Sequence, residues 1–306
     1  MHADLQQFVE NSGDLATLPT TVLRLLTVLR DPDVSAHDVR SIIEPDPAMT
    51  SNLLKLANSA YFGQRRRIRT VQEALVMLGN RATATLAFAT SMTPILRRDL
   101  EPYGIGRNEF WRHSLLAAAA AAYAVRERGR YTQAGVAFTA GLIHDIGKLL
   151  VSTGGGHRGR RALPDLTGAD AALERELLGF DHAAAGTALA EQWGLPAELV
   201  EPIRRHHDDQ LCAGRLADPP RDDDEVVLAT SAADLLAHLA ASPVPLTSAA
   251  DVSGAPGGGG FPAGTAGLDA QRRLAALGFA PDIVARFRSD LEAGRTAAAG
   301  AVPLPA

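Results

Sequence analysis

The chain has 306 residues, of which 46% are hydrophobic, so it can bury a substantial core in one large or two smaller domains. Its 30 lysines and arginines face 35 acidic residues, and the net charge of -5 excludes the global basic field that drives nonspecific binding to nucleic acid. The single cysteine, Cys212, excludes an internal disulfide and a cysteine-built zinc site, which is typical of a reducing compartment.

The N-terminal residues do not resemble an export signal. The opening sequence MHADLQQFVENSGD is acidic where a signal peptide is basic, and no apolar stretch follows it. The alanine-rich stretch from Leu115 to Val125 is shorter than the roughly 20 apolar residues that span a bilayer. We therefore expect a cytoplasmic protein with no membrane segment and no nucleic-acid partner.

Short amphipathic helices are predicted in the first third of the chain, because apolar residues recur at steps of three and four. They are expected at about 22–29, 39–43, 47–58 and 71–79. Asp46 and Pro47 predict an N-cap followed by proline at the first helical position. Thr70 and Glu73 predict a capping box, in which the glutamate reaches back to the start of its helix. Four or five helices are thus expected before Glu101.

Longer helices are predicted in the rest of the chain, and no alternating strand pattern is present, so the fold class is predicted to be all-α. These helices are expected at about 108–124, 134–151, 183–193, 196–207 and 225–240. A Gly/Pro-rich stretch at 242–267 predicts a flexible linker. A final helical segment at 268–298 is expected to pack back through Leu274, Leu277, Ile283 and Phe287.

Histidines beside carboxylates are the features that point to chemistry. They are His113, the His144-Asp145 doublet, His182, the His206-His207 doublet and the later Asp234. A single histidine on a helix is usually a core or surface residue, and only the whole set predicts a metal site. Imidazole and carboxylate ligands suit a divalent ion such as iron, manganese, zinc or magnesium. Lys148 shares a helix face with His144, which would place its ammonium near a bound phosphate.

Several segments resemble the HDOD domain, in the order and spacing of that family, from about residue 15 to residue 240. They are Leu18-Pro19, IIEPDPAMTSNLLKLANSAYFG (42–63), VQEALVMLG (71–79), FWRHS (110–114), AGLIHDIGKLL (140–150), LGFDHAAAGTALAEQWGLP (178–196) and HHD (206–208). The stretch from Asp46 to Gly63 is the most specific of them. The resemblance implies an all-α fold with an N-terminal helical subdomain at 15–105 and an HD-like helical subdomain at 106–241.

The same resemblance implies a function and a set of ligands. HDOD proteins are output or regulatory modules of bacterial signalling, which implies a signalling protein as partner. Related HD enzymes bind one metal through residues that match His113, His144, Asp145 and Asp234. Phosphodiesterases of the HD-GYP type add histidines for a second metal, which correspond to His182, His206 and His207.

Two features depart from the active phosphodiesterases. After His207 the sequence runs DDQLCAGRLADPP, without the Gly-Tyr-Pro loop of those enzymes. Pro202 lies within the predicted helix that carries His206 and His207, where it removes a hydrogen bond and crowds the carbonyl of residue 198. The resulting kink either swings both histidines away from the His144-Asp145 doublet or aims them at it.

Functions of different classes stay open at this point. The first is a signalling module that recognises a partner protein, with the His/Asp cluster as a structural metal site or a relic. The second is a metal-dependent phosphohydrolase or cyclic-dinucleotide phosphodiesterase, in which Lys148 steadies the phosphate. The third is binding of a nucleotide or phosphate without turnover. The basic run 64–69 predicts either an anion site or a solvated loop, and Trp111 and Trp193 are expected in the core.

Overall fold

The computed structural model describes residues 3–10, 15, 18–31, 33–58, 66–153, 164–167, 169–208 and 222–241, with single positions between 275 and 289. Within these ranges the chain forms helices and short 3-10 turns, with no strand beyond an isolated bridge between Leu100 and Ile105. The prediction of an all-α fold is therefore confirmed. Cys212 and the linker predicted at 242–267 lie outside the described residues.

Among the described residues, seven α-helices precede Glu101, where the sequence predicted four or five. They are α1 (Ala3–Glu10), α2 (Thr20–Leu29), α3 (Ala36–Ile43), α4 (Pro47–Ala57), α5 (Val71–Leu78), α6 (Asn80–Ser91) and α7 (Thr93–Leu96). The sequence NRATATLAFATS of α6 was missed because every residue from Thr83 to Ala89 is buried, so no polar face marks its period. Gly79, at φ +88°, separates α5 from α6 in a conformation that favours glycine.

The predicted caps are present with one difference. The Asp46 carboxylate accepts a hydrogen bond from the Met49 backbone N at 2.9 Å and caps α4. The Thr70 hydroxyl accepts from the Glu73 backbone N at 3.0 Å and caps α5. The Glu73 carboxylate reaches back to the backbone N of Arg69 at 2.6 Å, one residue before the position that a capping box predicts.

The second half of the chain forms longer, more buried helices. They are α8 (Arg107–Glu127), α9 (Ala134–Ile143), α10 (Ile146–Thr153), α11 (Ala171–Leu178), α12 (His182–Trp193), α13 (Ala197–Arg205) and α14 (Asp222–Ala241). The prediction of one continuous helix at 134–151 is wrong, because the chain turns at His144 and Asp145 between α9 and α10. Helix α11 was not predicted.

Helix α9 forms the centre of the fold and packs against α6, α8, α13 and α14. All its residues are buried. The stretch from Tyr131 to Thr153 is long and apolar enough to cross a bilayer, but 94% of an apolar 18-residue window within it is buried inside the protein, as in the core helix of a globular fold.

Glycines bring the helices of the second half into backbone contact. A Cβ on Gly141 would lie 2.6 Å from the carbonyl oxygen of Ala117, so α9 packs directly on the backbone of α8. A Cβ on Gly147 would lie 1.8 Å from the carbonyl oxygen of His182 and 2.5 Å from the backbone N of Gly186. The start of α10 therefore touches the first turn of α12.

The two halves of the chain share a hydrophobic core. Arg30 donates to the carbonyls of Gly194 at 2.7 Å and Trp193 at 3.2 Å, and so caps the end of α12 from α2. The Trp193 indole donates to the carbonyl of Leu15 at 2.9 Å. Trp193 and Trp111 are buried in the core, as predicted. The subdomain boundaries at 15–105 and 106–241 stay predictions.

The predicted C-terminal segment contacts the fold at its described positions. Ile283 and Phe287 are buried, and the Phe287 ring lies 5.5 Å from the ring of Tyr123 in α8. Arg286 forms an ion pair with Glu127. Leu274 and Leu277 lie outside the described residues.

Substitution of Gly147 tests the contact between α10 and α12. We expect Gly147→Ala to lower the free energy of unfolding by roughly 1–3 kcal/mol or more, because the new methyl group meets fixed backbone atoms. The midpoint of denaturant unfolding measures this change. Gly106→Ala is the control, since a Cβ there has only the flexible Glu109 carboxylate, 3.5 Å away, as its neighbour. An equal loss in both variants would contradict the proposed close contact.

Candidate metal centre

The turn between α9 and α10 places the His144-Asp145 doublet in the interior. His144 is fully buried and Asp145 is 2% exposed. The His144 Nδ1–H donates to the carbonyl of Gly141 at 2.8 Å, because a carbonyl can only accept. With Nδ1 engaged in this way, Nε2 is the ring nitrogen of His144 that faces the centre of the protein.

Three residues from three parts of the chain form what we call the first ligand group: His113 from α8, His144 from the turn and Asp234 from α14. The Nε2 atoms of the two histidines lie 3.4 Å apart. Asp234 Oδ1 lies 3.3 Å from His113 Nε2 and 3.5 Å from His144 Nε2. Such spacing of ligand atoms around one point fits a single metal ion.

A second ligand group consists of Asp145, His182, His206 and His207. His182 is the first residue of α12, which Asp181 caps by accepting from the backbone N of Ala184 at 2.8 Å. Its Nε2 atom lies 2.9 Å from His207 Nε2 and 3.3 Å from His206 Nε2. Asp145 Oδ1 lies 3.2 Å from His182 Nε2 and 3.7 Å from His206 Nε2.

The Asp145 carboxylate joins the two ligand groups. Its Oδ2 atom lies 3.6 Å from His113 Nε2 and 3.5 Å from His144 Nε2, while its Oδ1 atom faces the second ligand group. Oδ1 is buried and has no hydrogen-bond partner of good geometry among the described residues. Buried polar atoms normally have a partner. Histidine Nε2 atoms thus surround both oxygens of Asp145. These nitrogens and the carboxylate would hold two divalent cations, with Asp145 available to both positions.

The remaining ring nitrogens hold the histidines in place. The His206 Nδ1–H donates to the carbonyl of Ile203 at 2.8 Å, and the Ser231 hydroxyl donates to the His206 carbonyl at 2.8 Å. His182 Nδ1 lies 2.6 Å from Glu174 Oε2. These contacts fix Nε2 as the free ligand atom, which is the usual arrangement around a protein-bound metal.

The structure decides whether the helix with Pro202 turns His206 and His207 away from the His144-Asp145 doublet or toward it. Helix α13 ends at Arg205, so His206 and His207 follow the last turn instead of lying within a longer helix as predicted. Both face His182 and, through it, Asp145. The proline therefore lies in a helix that aims the two histidines at the doublet.

Sequence reasoning missed Glu174. This residue lies on the inner face of α11, is fully buried and accepts from the backbone N of His182 at 2.6 Å in addition to its contact with the ring. The helix itself has capping signals, because Asp170 accepts from the Leu173 backbone N at 2.8 Å and Gly179 has φ +81°. Glutamates on such a helix are usually exposed, and only the packing against α12 marks this one as different.

Lys148 lies beside the bridging carboxylate. Its Nζ atom is 2.6 Å from Asp145 Oδ2, and its side chain is 15% exposed. Burial alone would lower the pKa of Lys148, but the Asp145 carboxylate outweighs burial and raises the pKa. A role at a bound phosphate stays a prediction. In the basic run, Arg66, Arg67 and Arg69 are exposed, in agreement with a solvated loop.

Burial and neighbouring charges shift the pKa values of the histidines in the second ligand group in opposite directions. Burial alone would raise the pKa of Asp145, but His144 and Lys148 hold it well below its usual range. Burial and Lys148 act to lower the pKa of His182, yet the neighbouring carboxylates of Asp145 and Glu174 prevail and raise the pKa to about 9. Burial lowers the pKa of both His206 and His207. Without a metal, His182 is thus the protonated member of the second ligand group.

Comparisons with known proteins agree with this fold. The profile of the HDOD domain matches residues 15–209. A curated relative, an uncharacterized protein of Treponema pallidum (strain Nichols), is 26% identical over 205 residues, which make up 63% of this chain and 38% of the relative. The chain therefore spans well under half the length of that relative.

Solved structures share the architecture. A protein of Shewanella amazonensis SB2B, named as an inferred phosphohydrolase, has a TM-score of 0.64 at 24% identity, with 96% of this chain and 98% of that chain covered. An HDOD domain protein of unknown function from Geobacter sulfurreducens has a TM-score of 0.61 at 24% identity, with 98% of each chain covered. A protein of Marinobacter aquaeolei VT8, named as an inferred signal transduction protein, has a TM-score of 0.55 at 22% identity, with 93% of this chain and 58% of that chain covered.

Metal binding to this centre is expected to release protons. Because the pKa of His182 is raised to about 9, this ring is protonated at neutral pH and a cation must displace its proton. We expect the affinity for manganese(II) to rise as pH rises from 6 to 9. Calorimetric titration in buffers of different ionisation enthalpy measures the protons released. An affinity that stays constant over this range would contradict the assignment of His182 as a ligand.

Proposed function

The chain belongs to the HDOD domain family, and from that premise we propose that it is a bacterial signal-transduction output or regulatory module that acts through a protein partner and holds two divalent ions. The bridging position of Asp145 between the two ligand groups is the observation that carries the metal part of this proposal. Family membership supports the signalling part. We place the module in the cytoplasm, as expected from the sequence.

The donor set favours some metals over others. Asp145 and Asp234 add carboxylate oxygens to His113 and His144 around the first position, while three histidines and Asp145 surround the second. Imidazole nitrogen suits iron, manganese and zinc, whereas magnesium prefers oxygen ligands and water. We therefore propose iron, manganese or zinc as the resident ions, and magnesium as the least suitable of the four metals considered.

A metal-dependent phosphohydrolase, including a cyclic-dinucleotide phosphodiesterase, is the second candidate function. One observation favours it: the more accessible edge of the centre includes His113, whose side chain is 19% exposed, and Lys148 at 15%. A divalent ion bound there would supply Lewis-acid activation of water or of a phosphoryl oxygen. Lys148 would offer its ammonium to a phosphate or nucleotide, and Asp145 would hold that ammonium in place.

We favour a signalling function over hydrolysis because the substrate loop of the active phosphodiesterases is missing from the sequence. The sequence after His207 lacks the Gly-Tyr-Pro segment that the resemblance to active phosphodiesterases would require. The Shewanella protein is named as an inferred phosphohydrolase, but at 24% identity its likeness to this chain extends to the fold alone. Binding of a nucleotide or phosphate without turnover is compatible with the module and would serve as its input.

Activity and metal content, measured on the same preparation, test the proposed function. We expect the purified chain to bind about two equivalents of iron, manganese or zinc and to leave bis(p-nitrophenyl) phosphate and cyclic dinucleotides unhydrolysed. Elemental analysis and product chromatography provide the two measurements. Hydrolysis at ordinary enzymatic rates that disappears in Asp145→Asn would replace the signalling proposal by the phosphohydrolase.

Two carboxylate variants test the bridging arrangement. Asp145→Asn is expected to lose both ions, because the amide removes the shared charge and presents one oxygen instead of two. Asp234→Asn is expected to lose the ion of the first ligand group and keep the other. Elemental analysis after gel filtration counts the ions, and circular dichroism checks that each variant is folded. Equal losses in the two variants would contradict a bridge through Asp145.

A further inference from the structure

We propose that Glu174 is a positioning residue that determines whether the second ligand group is occupied by a metal. Its carboxylate fixes His182 with Nε2 toward Asp145 and adds a negative charge to a group whose own carboxylate, Asp145, is shared with the first ligand group. The inference rests on the proposed two-ion centre and deepens it. Occupancy of the second position would then depend on α11, a helix that contributes no metal ligand of its own.

The contact between Glu174 and His182 is closely held. Glu174 is fully buried, and its Oε2 atom lies 2.6 Å from the backbone N and 2.6 Å from the Nδ1 atom of His182. A carboxylate that accepts from both groups fixes the start of α12 and the ring together. Rotation of the ring would break the side-chain bond and leave the buried Glu174 carboxylate with the His182 backbone N alone as its partner, which is costly.

The Nδ1 atom of His182 has a different kind of partner from the Nδ1 atoms of His144 and His206. The rings of His144 and His206 each donate to a neutral backbone carbonyl, from Gly141 and Ile203 respectively. Among these three rings, only that of His182 has a carboxylate as the partner of its Nδ1 atom. Such a partner makes the imidazole a stronger donor to a metal and commonly changes metal affinity by about 10–100-fold.

Charge gives a second, independent reason. The first ligand group includes Asp234 and borders the Oδ2 atom of Asp145, whereas the second has three imidazoles and the Oδ1 atom of that same carboxylate. A divalent ion at the second position would therefore face neutral ligands and a share of one negative charge. Glu174, at hydrogen-bonding distance from His182, supplies the charge that balances it.

Tyr103 extends this arrangement toward the segment between α7 and α8. Its hydroxyl is buried and, like Glu174 Oε1, has no hydrogen-bond partner of good geometry among the described residues. Burial and the neighbouring Glu174 carboxylate both raise the pKa of Tyr103, so the phenol keeps its proton. A small adjustment would let this phenol donate to Oε1 and complete the bonding of Glu174.

Titration of the 306-residue chain with manganese(II) tests the proposal. Wild-type protein is expected to bind two equivalents and to give the electron paramagnetic resonance signal of a coupled pair. In Glu174→Gln we expect the first equivalent to be unchanged and the second to bind about 10–100-fold more weakly, with the spectrum of a single ion. Glu174→Ala, which also frees the ring of His182, is expected to lose the second equivalent entirely.

Matched variants keep the result interpretable. Asp181→Asn is the control, since it removes a carboxylate next to His182 that caps α12 without touching the ring, and asparagine caps equally well. Tyr103→Phe removes one hydroxyl and is expected to weaken the binding of the second equivalent by a smaller factor, so the proposal stays testable if the Glu174 variants do not fold.

Two equivalents bound with wild-type affinity in Glu174→Gln would overturn the proposal. A wild-type chain that binds no manganese would instead overturn the two-ion centre itself.

Discussion

A buried carboxylate placed between imidazoles governs the arrangement of this protein. Asp145 is removed from water, and an unpaired carboxylate in that position would be very unfavourable. Lys148 and the surrounding histidines stabilise its charge, and its two oxygens face different ligand groups. The helices that carry those groups therefore have to meet at this residue.

The packing of the second half of the chain follows from that requirement. Gly141 lets α9 lie on the backbone of α8, which brings His113 near His144. Gly147 lets α10 touch the first turn of α12, which brings His182 near Asp145. Residues larger than glycine at these two positions would separate the helices and, with them, the ligand atoms. The small residues of the core thus determine the geometry of the polar centre.

The proposed two-ion centre would give this HDOD domain a physical use for metal without catalysis. Ions held by residues from α8, the α9–α10 turn, α12, α13 and α14 would tie distant parts of the chain together. The N-terminal helices are joined to the same body through Arg30 at the end of α12. Metal occupancy would therefore bear on how α12 holds the N-terminal helices, since α12 carries His182 at one end and the Arg30 contact at the other.

The sequence by itself determined the helices with a clear period and clear caps, such as α2 and α4, because these depend on neighbours three or four residues away. It also identified His113, the His144-Asp145 doublet, His182, the His206-His207 doublet and Asp234 as candidate ligands, and the family resemblance implied two sets of them. Only the tertiary structure separated α9 from α10 and placed the Asp145 carboxylate between the two sets. It alone revealed Glu174, whose role comes from packing against α12. Local spacing decides which residues share a helix face, whereas distances between helices depend on contacts far apart in the chain.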